Sequence, residues 1–279
     1  MMKKRIVITG ASDGIGLAAA RQLKQAGHEV ILVGRNAEKT AHAAAELDAP
    51  FHLADYARLS DVARLAEELR AYGRIDVLAN NAGGLMRAVK TTGDGYEETF
   101  QVNLLAGFRL TNLLRETLLA SDATVIQTSS IASNLFGKNY DPHNPQGGEG
   151  LTPVQAYGNA KLANLLLARE MEKRWGKDGV HAVAFEPGVV RTNFGAEAGF
   201  FFRAAYHTPL KYLFTISPEK SAGRLTRLAE GTPGIDFVPG MAYSGKKRFT
   251  VWCEKDLDAW GALLWESCES ERTTIAGKQ

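Results

Sequence analysis

Val7-Ile8-Thr9-Gly10-Ala11-Ser12-Asp13-Gly14-Ile15-Gly16 decides how the rest of the chain is read. The β-branched run Ile6-Val7-Ile8 ends at Thr9, and glycines follow at Gly10, Gly14 and Gly16. A helical pattern then runs from Leu17 to Gly27. That order is strand, glycine-rich turn, helix. Glycine lets a backbone approach a ligand closely and reach φ angles that a Cβ forbids. The helix start aims unpaired N–H groups at the same spot, a setting that suits a pyrophosphate. The spacing is Gly-xxx-Gly-x-Gly, not the Gly-x-Gly-xx-Gly of the dinucleotide fingerprint, and a tight βα turn without a ligand would carry the same glycines. Residues further along have to separate the two readings.

Outward from that loop, short apolar runs alternate with longer helical patterns, which implies βαβ units and a parallel sheet. Glu29 to Val33 reads as a second strand ending at Gly34-Arg35-Asn36, and Ala37 to Leu47 as a helix. Phe51 to Leu53 is a short third strand leading into Asp55, and Leu59 to Leu69 is a crossover helix. Ile75 to Ala79 is a fourth strand that runs into Asn80-Asn81-Ala82-Gly83. One long helix is predicted from Tyr96 to Leu119, then a fifth strand from Thr124 to Thr128, ending at Ser129-Ser130. Residues 134–152 are dominated by Gly, Pro, Asn and Asp and read as a surface loop. A connection of that length in a compact domain is often functional. Pro153 opens a helix that reaches about Trp175. His181 to Phe185 is a sixth strand stopping at Pro187-Gly188, and Met241 to Tyr243 a seventh. Leu257, Trp260, Leu264 and Cys268 fall at helical spacing and predict a last helix. The expected fold class is α/β: a doubly wound parallel sheet of about seven strands with helices on both faces. With no repeat or linker, residues 1–279 read as one domain with a C-terminal extension over about 240–279.

Composition bounds the function. A chain of 279 residues with 45% hydrophobic content fits one large α/β domain with a full core. Its 33 basic and 31 acidic residues, net +2, are spread along the chain and leave no footprint for nucleic acid. Lys3, Lys4 and Arg5 precede only a short apolar run, which reads as a first strand and not a signal peptide. No apolar stretch approaches the ~18 residues of a spanning helix, so no transmembrane segment is expected. Cys253 and Cys268 match neither a disulfide scaffold nor a metal site. A reducing, cytoplasmic setting and no metal are the expectation.

In a doubly wound sheet a ligand sits outside the C-terminal strand ends, near the switch point. The unusual residues of this chain lie at those ends: the glycine loop, Arg35, Asp55, Asn80 to Gly83, Ser130 and Pro187-Gly188. A ligand long enough to touch them all is a dinucleotide. An NAD site usually places Asp or Glu about 20 residues past the glycines, for the ribose 2′-OH. Here that region reads Gly34-Arg35-Asn36, with no carboxylate. Arg35 is suited to a 2′-phosphate through its planar donor fork, so NADP (NADPH) is the expected cofactor. Asp13 places an opposing negative charge near that phosphate.

The chemistry is expected on Tyr157 and Lys161, which share one helix face at i and i+4. A phenol with a pKa near ~10 is a poor base at neutral pH, and an adjacent ammonium lowers it. Tyr157 then gives a proton to a carbonyl oxygen or takes one from an alcohol. A hydroxyl at the end of the fifth strand, facing that helix, would hold the substrate oxygen. Ser130 is the candidate and Ser129 its competitor, since strand alternation allows only one to face the site. Asn103 stands mid-helix, either as an exposed polar residue or as a bridge to Lys161 through water.

Taken together, these residues resemble the short-chain dehydrogenase/reductases. Thr9 to Gly16 resembles the family's cofactor loop, Asn80-Asn81-Ala82-Gly83 its strand-four motif and Asn103 its active-site asparagine. Ser130 with Tyr157-Gly158-Asn159-Ala160-Lys161 resembles its catalytic set, and Pro187-Gly188-Val189-Val190-Arg191-Thr192 the segment beside the nicotinamide. The resemblance implies a Rossmann-type NAD(P)-binding domain, with Gly10, Ser12, Asp13, Gly14, Ile15 and Gly16 around the pyrophosphate. It further implies that Asp55 contacts the adenine, with Tyr56 beside it where an aliphatic residue is more usual. Asn80, Ala82 and Gly83 would line the ribose side. Tyr157 and Lys161 would bind the nicotinamide ribose, and Pro187, Gly188, Val190 and Thr192 the nicotinamide itself. Asn103 would hold the water connecting Lys161 to solvent.

The interval between Ser130 and Tyr157 is longer than the family usually has. With Leu162-Ala163-Asn164 following Lys161, it is similar to the retinol-dehydrogenase-like and WW-domain-oxidoreductase-like branch. That branch implies apolar carbonyl or alcohol substrates and NADP. The membrane anchor of the retinol enzymes is not seen here, so the substrate does not carry over with the motifs. Residues from about 193 to 216 would form a substrate lid. The aromatics there, among them Phe194, Phe200, Tyr206 and Phe214, suit ordinary packing, a pocket wall or a membrane-surface contact. The expected activity is hydride transfer between NADP and a carbonyl/alcohol pair of a lipophilic or aromatic small molecule. A non-catalytic NADP-binding regulator and a dehydratase or epimerase on the same fold are the alternatives. A homo-oligomer is compatible with the family.

Overall fold

The structure, a computed structural model, describes residues 2–147, 150–189 and 216–276, with side chains through residue 270. The described chain runs β1 (Arg5–Thr9), α1 (Gly14–Gln25), β2 (Glu29–Gly34), α2 (Ala37–Leu47), β3 (Phe51–Leu53), α3 (Leu59–Arg70) and β4 (Val77–Asn80). A broken helix follows: α4 (Glu98–Phe100), a π-turn (Gln101–Leu105), α5 (Ala106–Leu113) and α6 (Arg115–Leu119). Then come β5 (Thr124–Thr128), α7 (Ala132–Leu135), α8 (Pro153–Trp175) and β6 (His181–Phe185). The last elements are α9 (Pro218–Glu230), β7 (Ala242–Ser244), β8 (Lys247–Arg248) and α10 (Leu257–Ala276). Asn36 caps α2 through Lys39 N at 2.9 Å, and Thr152 with Gln155 forms a capping box ahead of Pro153.

The sheet order is β3-β2-β1-β4-β5-β6-β7-β8, parallel except for the final β7–β8 pair. The order reverses between β1 and β4, so the crevice for a ligand opens where those two strands end. β-strand alternation sorts the core into two layers. Ile6 and Ile8 face α1 and α9 with Ala19, Leu225 and Leu228. Val7, Ile31 and Leu78 face α3, α5 and α8 with Leu65, Phe108 and Leu166. α8 is buried nearly all round because α10 covers its outer side. Trp265 of α10 stands edge-on to Phe108 at 4.9 Å and to Trp175 at 5.2 Å. Among the described residues no helix is long and apolar enough to cross a membrane, and no cluster of side chains would hold a metal ion.

Two expectations are corrected. The helix predicted over 96–119 is interrupted, because the side chain of Asn103 competes with the backbone. Its Nδ2 donates to Thr99 O at 3.0 Å, and the turn widens so that Ala106 N reaches back to Gln101 O. A second break falls at Leu114, whose backbone leaves the helical region (φ −90°, ψ 3°). The stretch 134–152 is not irregular throughout: α7 ends within it, and a 3₁₀ turn at Gly137–Asn139 follows. The sheet matches the expected count of about seven strands, with a short antiparallel β8 added beside the seventh among the described residues.

Candidate active site

Two glycines of the loop are required by close approach. A Cβ on Gly16 would stand 2.3 Å from Gly10 O, and one on Gly10 would stand 2.9 Å from Ala82 Cα. Gly10 also has φ +66°, a left-handed value that favours glycine. Thr9 ties the ends of β1 and β4 together below this loop. Its hydroxyl accepts from Asn81 N at 3.0 Å and Ala82 N at 2.9 Å, and donates to Ala79 O at 3.1 Å. Asp13 caps α1 by accepting from Gly14 N at 2.7 Å. The result is a glycine-lined turn at a helix N-terminus, with the Asp13 carboxylate on the first N–H of the helix.

This glycine cradle is one end of a cleft of about 540 Å³. Gly10, Ser12, Asp13, Gly14, Ile15 and Gly16 all border it. So do Arg35, Ala82 and Gly83, then Ser130, Tyr157 and Lys161, and finally Pro187 and Gly188. Arg35 is exposed at the end of β2, and Lys39 lies nearby, with its Nζ 3.7 Å from the Asp13 carboxylate. Asp55 does not border the cleft: its carboxylate accepts from Ala57 N at 3.1 Å and Arg58 at 3.3 Å, holding the turn into α3. The Asn80 side chain is turned behind β4, donating to Thr111 Oγ1 at 2.9 Å. Val190 and Thr192, and the segment 193–216 apart from Ile216, lie outside the described residues.

Tyr157 and Lys161 project together from α8, with the ammonium 5.4 Å from the phenol ring centre. Lys161 Nζ donates to Thr128 O at 3.1 Å. Burial without a neighbouring carboxylate pushes its pKa down to about 7. Ser129 and Ser130 both border the cleft and differ in their partners. Ser129 donates to Lys161 O at 2.7 Å and is buried under α8. The Ser130 hydroxyl accepts from Ala132 N at 3.2 Å at the cleft edge.

Asn103 lies one layer back. Its Oδ1 accepts from Gly84 N and its Nδ2 donates to Gly84 O, both at 3.0 Å. Asn164 Nδ2, one turn along α8 from Lys161, donates to Asn103 O at 3.0 Å. Gly83 makes this possible, since a Cβ there would meet Asn103 Oδ1 at 2.4 Å and Lys161 Nζ at 3.2 Å.

The opposite wall was not foreseen. Leu85, Ile131, Ala132, Leu135, Phe136 and Val154 give the cleft an apolar side. α7 comes close enough to form it because Gly158 has no side chain: a Cβ there would lie 2.6 Å from Phe136 C. Asn134 latches the same wall to the C-terminal segment, donating to Thr250 O at 2.9 Å and accepting from Trp252 N at 3.1 Å. The apolar pair Leu135-Phe136 was the available signal, inside a stretch read as loop.

This arrangement joins a glycine cradle for a pyrophosphate to a tyrosine–lysine pair and an apolar wall. The short chain dehydrogenase family model matches residues 4–199. The chain belongs to the short-chain dehydrogenase/reductase family. It is 38% identical over 277 residues to a protein of Streptomyces sp. (strain C5) named "Putative daunorubicin C-13 ketoreductase DnrU", covering 95% of this chain and 91% of that one. It is 34% identical over 275 residues to human retinol dehydrogenase 13, covering 94% of this chain and 82% of the relative. A solved structure titled as a "putative NAD(P) dependent gluconate 5-dehydrogenase" from Beutenbergia cavernae, with bound NADP at low occupancy, superposes with a TM-score of 0.69. That structure is 29% identical and covers 86% of this chain and 94% of its own. The chain is thus an oxidoreductase-family member of the retinol-dehydrogenase-like branch, with a Rossmann-type fold and a nicotinamide cofactor site.

Proposed function

We propose that the protein is an NADP-dependent oxidoreductase that interconverts a carbonyl and an alcohol on a lipophilic or aromatic small molecule. One observation carries the reading: Tyr157, Lys161 and Ser130 border the cleft that has the glycine cradle at one end and the apolar wall on one side. When bound, the cofactor supplies or accepts a hydride at the nicotinamide. The residues do the rest. Gly10 to Gly16 take the pyrophosphate on backbone N–H groups, and Arg35 takes the 2′-phosphate. Ser130 donates to the substrate oxygen, and Tyr157 moves the proton on or off that oxygen. Lys161 lies beside the phenol and, as an ammonium, favours its anion. Asn103 and Asn164 fix the helix behind Lys161, with a water completing the path to solvent.

The apolar wall supports a lipophilic substrate, since Leu85, Leu135, Phe136 and Val154 offer area and no charge. The names of two relatives point the same way, to a ketone of daunorubicin and to retinol. The buried thiols Cys253 and Cys268 accord with a reducing, cytoplasmic setting. The test is NADPH absorbance with a panel of aromatic and aliphatic ketones, aldehydes and alcohols. The expected result is stoichiometric cofactor turnover on bulky apolar members, lowered by about 100- to 10,000-fold in Tyr157→Phe while NADPH still binds. Wild-type turnover in that variant would point instead to a binding-only protein. Product formation without net NADPH consumption would point to a dehydratase or epimerase.

A further inference from the structure

The end of the cleft formed by Pro187 and Gly188 is held from behind by an ion pair between a buried carboxylate and a partly exposed arginine. Glu186, the residue after β6, is 4% exposed. Its Oε1 accepts from Gly188 N at 2.6 Å. Its Oε2 accepts from Arg224 Nη1 at 2.9 Å and from Ser244 Oγ at 2.8 Å. The same Arg224 nitrogen reaches the Glu186 carbonyl at 2.9 Å. Ser221, three residues earlier on α9, donates to Pro187 O at 2.8 Å. Three successive backbone groups are therefore fixed: the carbonyls of residues 186 and 187 and the N–H of 188. The anchoring side chains come from three separate places: the residue after β6, α9 and β7.

We propose that Glu186, Arg224 and Ser244 are positioning residues for hydride transfer, a clamp behind the cleft that sets the backbone of Pro187–Gly188 against the nicotinamide. The proposal rests on reading the cleft as the cofactor site. Pro187 and Gly188 border the cleft, whereas the side chains that hold them do not. Gly188 has φ +86°, a left-handed value that favours glycine, and Ile216 Cδ1 packs where a Cβ would stand. Just beyond it, Ile216 N donates to Val189 O at 2.8 Å.

A purely structural role explains this arrangement poorly. An ion pair with one partner partly exposed is weak evidence for stability, and apolar residues of the same volume commonly serve as well. What apolar residues cannot do is hold the N–H of a cleft-lining glycine in one direction. Hydride transfer depends on that kind of control, because reacting atoms have to lie about 3–3.5 Å apart and a ~1 Å error can cost about 100-fold.

The test uses the full chain. Glu186→Gln keeps the size and an acceptor for Gly188 N, but it presents Arg224 with a neutral amide. The expected result is unchanged NADPH affinity, kcat lower by about 10- to 100-fold, and a larger isotope effect with [4-²H]NADPH. The emission of bound NADPH, which reports the nicotinamide's surroundings without turnover, should shift as well. Arg224→Lys should recover part of the kcat lost in Arg224→Met, at similar melting temperatures. A Glu186→Gln protein with wild-type kcat, isotope effect and emission would overturn the clamp. So would a kcat loss matched by the fraction of protein unfolded. Failure of the wild-type protein to bind NADPH at all would instead overturn the reading of the cleft, and the clamp with it.

Discussion

On its proposed cofactor side the cleft is lined mainly by glycine backbone with Arg35 at the rim, and on its proposed substrate side by side chains. The first surface comes from loops directly after β1, β2 and β4, held by Thr9 and shaped by Gly10 and Gly16. The second is assembled from Leu85, the stretch Ile131 to Phe136, and Val154, with Asn134 latching it to residues 250–252. A backbone surface cannot tolerate an added Cβ. A side-chain surface can be trimmed and will change its preference before it loses its shape. The two sides should therefore fail differently under mutation.

The largest effect belongs to the backbone side. In Gly16→Ala the new methyl would stand 2.3 Å from Gly10 O, so the loop has to move. Overpacking of this kind costs about 1–3 kcal/mol, which is about 10- to 100-fold in affinity. NADPH titration should show a loss of about that size, and because the clash is already present without ligand the melting temperature of the apo protein should fall by a few degrees. Tight NADPH binding by this variant would mean that the loop does not touch the cofactor.

Arg35→Leu should have a smaller and more selective effect. Hydrogen bonds to charged groups contribute about 1.5–3 kcal/mol, and an exposed arginine should sit at the low end, about 10-fold. kcat/KM for NADPH should fall by that amount while the value for NADH stays put. An unchanged ratio of the two would remove Arg35 from phosphate recognition and leave Lys39 as the basic group nearby.

The contrast also explains what could be read from the sequence. β1, the glycine loop and α1 are contiguous, so periodicity and glycine spacing located them without any tertiary knowledge. The same holds for α8, where Thr152, Pro153 and the i, i+4 pair Tyr157 and Lys161 are local signals. The π-turn at Asn103 was missed because the side chain that widens it is held in place by Gly84, 19 residues away. Glu186 was passed over because Arg224, 38 residues away, gives it meaning. Asp55 and Asn80 stand where the family pattern would place cofactor contacts, yet each spends its side chain on a neighbour within the fold.

A third substitution probes the side-chain half. Leu135 borders the cleft and remains 60% exposed, so Leu135→Ala removes apolar contact without opening the core. KM for a bulky apolar carbonyl should rise about 3- to 10-fold, with NADPH affinity unaltered. Asn134→Ala should act in the same direction by loosening the latch to Thr250 and Trp252. A change in NADPH affinity in either variant would show that the two sides are coupled.

Lys161 lies where the two halves meet, and its smallest measurable effect is on stability. Burial pushes its pKa to about 7, against about 10.4 in an unfolded chain. Between those values the unfolded state holds a proton that the folded state lacks, so this group makes stability rise as pH rises. Below about 7 both states are protonated, and the destabilisation by a buried ammonium is present in full. Above the unfolded value both are neutral and it is gone. Lys161→Met removes the charge but keeps much of the apolar stem. Its melting temperature should therefore exceed the wild-type value most at pH 6, with the gap narrowing toward pH 10, by a few degrees at most for a chain of this size. The same variant should lose turnover, because the phenol of Tyr157 no longer has a cation beside it. A residue that destabilises the fold and is needed for reaction is one kept for chemistry, whereas a lower melting temperature in Lys161→Met at every pH would make Lys161 a structural anchor for Thr128.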